Sequence, residues 1–228
     1  MKIPREDTAR TRKCLLAAAS EIFAEKGFRN ATVAEICRRA KANIAAVNYH
    51  FRDKETLYRE AWRQSFLESL KAHPLDGGVS RNAPPEKRLR GQVTAFLHRI
   101  TDKNNKELLF VLKEFSNPTG LLKGVMQEEI RPLQERTRIL IRELLGPHSS
   151  DMQIRFCEIS IISQCMNPIV MRSGKEGKLE HESDYPAIDD VDAYTDHVVR
   201  FSLGGICAIR EKAEKKKRSY KKQQERGT

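Results

Sequence analysis

Residues 32–58 read "TVAEICRRAKANIAAVNYHFRDKETLY", and their spacing decides the fold. Thr32 precedes an apolar-periodic run with Glu35 three residues on, the T-x-x-E pattern in which a hydroxyl caps a helix. The run "VAEICRRA" turns Val33, Ile36 and Cys37 to one side and ends near Ala40. "KAN" then makes a tight turn, and Asn43 is placed to cap a third, short helix from Ile44 to about Phe51. Asp53 caps a fourth, which carries Leu57, Tyr58, Ala61, Trp62, Ser65 and Phe66 on one face. Two short helices joined by a tight turn form a helix-turn-helix arrangement. Val33, Ile36 and Ala40 face a small core shared with Val47 and Phe51, which leaves the other face of the third helix free to meet a groove. So short a helix has little stability of its own and must be held by packing.

Upstream, Leu15, Ala18, Ala19, Ile22 and Phe23 recur at helical spacing from about Thr8 to Lys26, and Gly27 stops that helix. Downstream, "HPLDGGVSRNAPPEK" (73–87) reads as an exposed connection. Helical stripes follow at Leu89–Ile100 and Leu108–Phe115, and "SNPTG" (116–120) breaks the chain. A long pattern then runs from Leu121 to Leu145, with a kink or break expected at Pro132. Two strongly apolar helices come last, from about Asp151 to Met171 and from about Val191 to Arg210. The polar segment 172–190 between them is expected to be a mobile loop. No strand alternation is evident, so the fold class is all-α.

Charge is concentrated at the two ends. Residues 1–59 carry 13 basic and 7 acidic groups, and residues 210–228 carry 9 and 3, out of a chain-wide net charge of +11. The body between is nearly neutral, and basic ends suit phosphate backbones. The five cysteines show no CxxC pair and read as reduced, mostly buried thiols. No HExxH, P-loop or GxSxG is present, and six histidines are scattered, so neither an enzyme nor a metal or cofactor site is expected. With no long uncharged apolar run and no apolar signal core, the expected location is cytoplasmic, without a membrane.

The stretches "AAASEIFAEKGFRNATVAEICRRA" and "NIAAVNYHFRDKETLY" together resemble the DNA-binding domain of the TetR family of bacterial transcriptional regulators. The segment "EFSNPTGLLKGV…EEIRPL…LLG" is similar, more weakly, to the CecR-like subgroup. One departure is Lys41, in a turn where many members carry glycine; glycine serves there because φ is positive. The resemblance implies a helix-turn-helix DNA-binding domain (1–59), a helical ligand-binding and dimerisation domain (60–212) and a basic, frayed tail (213–228). It implies a homodimer that binds a double-stranded operator and is released from it by a small-molecule effector, as a repressor. DNA-binding residues are then expected at Thr32, Asn43, Ile44, Ala45, Ala46, Asn48, Tyr49, His50 and Lys54. The three apolar residues opening the third helix suit thymine methyls, and Asn48 suits an adenine edge. Thr32, Tyr49, His50 and Lys54 suit phosphates, with Arg29, Arg38 and Arg39 adding backbone contacts. Pocket lining is expected from Phe96, Phe110, Phe115, Met126, Phe156 and Met166. A dimer interface is expected from Ile159, Ile162, Cys165, Met166, Phe201, Gly204 and Gly205. Two alternatives stay open: a thiol-based redox regulator acting through Cys157, Cys165 or Cys207, and a basic helical protein that binds nucleic acid or membranes without operator specificity.

Overall fold

The first helix ends where the sequence says it must. In the computed structural model, which describes residues 5–173 and 188–224, Gly27 leaves helical geometry at φ 72° and ψ 175°. A last turn beyond it carries α1 to its end, Arg5–Asn30. Among the described residues eight more helices follow: α2 Val33–Ala40, α3 Ile44–Phe51, α4 Lys54–Ala72, α5 Pro85–Thr101, α6 Lys106–Ser116, α7 Lys123–Leu145, α8 Asp151–Ser173 and α9 Val191–Gln224. No helix among them is long and apolar enough to cross a membrane. The fold is all-α, as expected.

Packing divides the chain into two units, residues 1–72 with 102–130, and residues 73–101 with 131–228. The first unit is larger than the span read as the DNA-binding head, because α6 packs on α1 and α4. Its centre is aromatic. Phe23 meets Tyr58 edge-on at 4.9 Å, and Phe110 of α6 lies 5.3 Å from Tyr58. Leu15, Ile22, Ile36, Val47, Phe51, Leu57 and Trp62 are buried around them, while Val33 and Ala40 are only half-buried. The "SNPTG" break is clipped to this unit, for Arg29 donates to Asn117 Oδ1 (2.5 Å) and to the Pro118 carbonyl (3.2 Å). Arg63 of α4 pairs with Glu128 and Glu129 at the start of α7.

In the second unit α5 packs on α8 and α9, and α8 on α9. Gly77 of the connecting segment lies against Gly91 of α5, so closely that a β-carbon on Gly91 would sit 2.3 Å from the Asp76 carbonyl oxygen. Helix α7 continues through Pro132, so the chain does not break there. Helix α8 also holds a proline. Pro168 has no N–H to offer the Gln164 carbonyl, and the Tyr194 hydroxyl of α9 donates to that oxygen at 2.6 Å. Glu158, buried on α8, accepts from Arg138 Nε of α7 at 2.6 Å. The expected mobile loop falls largely on residues 174–187, outside the described residues. The tail continues α9 as helix to Gln224, beyond the expected end near Arg210; residues 225–228 also lie outside the described residues.

Candidate nucleic-acid interface

Each helix of the helix-turn-helix is capped at its N-terminus by a side chain. Thr32 Oγ1 accepts from Glu35 N–H at 3.2 Å, and Asn43 Oδ1 from Ala45 N–H at 3.0 Å. Only half of the capping box forms, because the Glu35 carboxylate turns to Lys26 Nζ at 2.5 Å instead. That contact holds the Glu35 carboxyl below the usual carboxylate range. Lys41 closes α2 in the left-handed region, φ 52° and ψ 42°, the conformation glycine would take more readily. Asp53 Oδ1 accepts from Thr56 N–H at 2.7 Å and starts α4. This bond is the chief reason its carboxyl titrates low.

Helix α3 is thereby presented with one face buried and one bare. Val47 and Phe51 point inward and are fully buried, each contributing about 1.5–3 kcal/mol. That is enough to hold eight residues that would not stay helical alone. Outward stand Ile44, 52% exposed, and Tyr49, 76% exposed, with Ala45 and Asn48 between them. A bare isoleucine and a bare tyrosine thus stand on the open face of a capped helix. Ala46 and His50 are half-buried at its edge. The His50 ring meets Tyr49 edge-on at 4.9 Å. Burial first, then the nearby Arg12 charge, pushes its imidazole below the ordinary histidine value. Lys54 lies over the Phe28 ring at 4.4 Å and is lowered by burial.

The structure thus gathers the nine expected residues around α2, α3 and the start of α4, but it divides their tasks. Asn43 and Thr32 are engaged as caps, and Lys54 is engaged by an aromatic ring. Among the flanking arginines, Arg29 is tied to the "SNPTG" break and Arg39 to Glu25 at 3.2 Å, while Arg38 is exposed.

The residues expected to line a pocket are divided between the two units. Phe110, Phe115 and Met126 belong to the first unit and Phe96, Phe156 and Met166 to the second. Phe110 is core, with no surface, while Phe115 and Phe156 are exposed. A groove of about 830 Å³ in the second unit is lined instead by Gln164, Asn167 and Pro168 of α8 and by Asp189, Tyr194 and His197. Of the residues expected at a dimer interface, Ile159, Ile162, Phe201, Gly204 and Gly205 lie on the open side of α8 and α9. Phe156 and Met152 share that side of α8 at helical spacing. Met166 is half-buried. Cys165 departs from the expectation: it is fully buried within its own unit, and burial pushes its thiol up to about 12.

A family model described as bacterial regulatory proteins of the tetR family matches residues 15–61. A second, the C-terminal domain of the HTH-type transcriptional dual regulator CecR, matches residues 85–206. The CecR protein of Shigella flexneri is 28% identical over 175 residues, covering 72% of this chain and 77% of that protein. Among solved structures, a TetR-like regulator from Rhodococcus sp. RHA1 has a TM-score of 0.61 at 17% identity, over 90% of this chain and 99% of that one. FadR of Bacillus subtilis, in complex with stearoyl-CoA, has a TM-score of 0.64 at 14% identity, over 85% and 98%. These likenesses agree on the fold.

Proposed function

The chain belongs to the TetR family of DNA-binding transcriptional regulators and carries a CecR-type C-terminal domain, and from that premise we propose that it reads its operator with the outward face of α3. The observation that carries this reading is the bare face itself. Ile44, Ala45, Asn48 and Tyr49 stand out from a helix whose other side is locked into core. Asn48 has the amide to pair with an adenine edge, Ile44 and Ala45 suit thymine methyls, and Tyr49 and His50 suit flanking phosphates. The Thr32 N-terminus of α2 offers backbone N–H groups to another phosphate.

The working species is a homodimer, joined through the open apolar side of α8 and α9. Two copies of α3 then meet successive major grooves of a pseudo-palindromic site. A small molecule bound in the C-terminal domain changes the separation of the two heads and weakens binding, so the protein acts as a cytoplasmic repressor. FadR of B. subtilis holds stearoyl-CoA on this fold, which makes long-chain acyl thioesters the first compounds to try. In these functional terms residues 1–59 are the head, 60–212 the regulatory domain and 213–228 the tail. A thiol switch at Cys157 or Cys165 is disfavoured by chemistry, since burial raises both thiols and suppresses their thiolates.

Selection of genomic fragments by the purified protein tests the reading. Recovery of a shared inverted repeat, released by an added effector, supports it. Fragments with no common sequence would refute operator recognition.

A further inference from the structure

We propose that Arg52 is a further DNA-contacting residue, a guanidinium presented at the end of the reading helix by a strained turn so that it grips a backbone phosphate. This rests on α3 being the reading helix. Helices α3 and α4 are joined by two residues only, Arg52 and Asp53. The Arg52 N–H still closes the last turn of α3 on the Asn48 carbonyl at 3.1 Å, so its α-carbon sits one turn beyond Asn48. Its own torsions are φ 69° and ψ −49°, and Asp53 N–H donates to the Phe51 carbonyl at 2.8 Å across it. Those are the marks of a γ-turn of the positive-φ kind, which is rare and strained. It disfavours any residue with a β-carbon, and glycine is the residue that such a turn asks for.

The turn therefore explains the conformation but not the arginine. The guanidinium is exposed, and among the described residues no carboxylate lies within 4 Å of it. Its neighbours are otherwise engaged: Arg12 with Glu60, Arg59 with Glu55, Lys54 with the Phe28 ring. The helix "IAAVNYHF" contains no lysine or arginine, so its reading face carries no permanent cation of its own. Arg52 is the first after it. A planar fork of donors matches two oxygens of one phosphate, and such a contact fixes register without reading sequence.

The test compares the full-length protein with Arg52→Gly and Arg52→Lys. Each is measured on a labelled duplex of random sequence and on a duplex selected by the unaltered protein, over a range of salt concentrations, with melting temperature as a second readout. Arg52→Gly should melt about 2–4 °C higher, as the strain is released. It should bind both duplexes about tenfold more weakly. The slope of log affinity against log salt should shrink by about 0.9 for each phosphate that the variant no longer neutralises. Arg52→Lys should keep most of that slope. If Arg52→Gly melts higher yet binds with unchanged affinity and slope, Arg52 is a turn residue and the proposal is overturned. A loss confined to the selected duplex, with the slope unchanged, would also overturn it in favour of a base contact. Absence of salt-dependent binding by the unaltered protein would remove the α3 reading itself, a result distinguishable because it needs no variant.

Discussion

At the scale of the residue, the proposed contact of His50 with a phosphate would tie the protonation of the head to DNA binding. In the free protein burial and the Arg12 charge hold its imidazole below the usual value, which favours its neutral form. A phosphate brought beside it favours the charged form and raises that value. Binding then takes up a proton, and affinity should rise as the pH falls from the bound-state value towards the lower free-state value, by up to about tenfold per unit per protomer. Binding isotherms across that range check this, with His50→Gln expected to flatten the dependence. Caps and stops at this scale were legible because each has its own chemistry: Thr32, Asn43 and Asp53 accept where their spacing says, and Gly27 turns where only glycine is comfortable. Arg52 was not legible. "RD" carries no turn signature, and nothing in it announces the positive φ that Arg52 adopts.

At the scale of the element, Gly91 on α5 lies too close to the segment that crosses it to accept a side chain. A β-carbon there meets the Asp76 carbonyl oxygen at 2.3 Å and Val79 Cγ2 at 2.7 Å, and backbone cannot yield as a side-chain tip can. Gly91→Ala should destabilise the protein by about 1–3 kcal/mol in urea unfolding. The control Gly124→Ala, with open space around it, should gain or lose little. The helices themselves were legible from periodicity, down to the one-residue accuracy of α3. The continuity of α7 through Pro132 was not, because a proline inside a helical pattern reads as a break when nothing but the local sequence is consulted. The same blindness misplaced Phe110: its stripe on α6 was evident, but not that α6 packs on α1 and α4.

At the scale of the whole molecule, the open side of α8 and α9 is the face proposed to receive a second copy. Phe156 and Ile159 are each 59% exposed, and Phe201 is 66% exposed; apolar side chains of this size gather at subunit interfaces. A double change, Ile159→Glu with Phe201→Glu, should yield a folded monomer by sedimentation, since neither side chain supports its own unit's core. That monomer should bind DNA far more weakly, because each half-site is then held by one head alone. The apolar excess on both sides of the last two helices was legible as a demand for double burial. Which residues turn inward was not: Cys165 went to the core and Phe156 to the surface, a difference of helical phase that the composition of the run does not encode.

The reading of DNA by α3 is tested most directly by one ratio, the affinity for the selected duplex over that for a shuffled duplex of the same composition, measured for the unaltered protein and for Asn48→Ala. The unaltered protein should discriminate by about a thousandfold or more. Asn48→Ala should lose about 1–3 kcal/mol of that discrimination while its binding to the shuffled duplex stays nearly the same. A ratio near one for the unaltered protein, or one that Asn48→Ala leaves untouched, would contradict the assignment of this face as the reader.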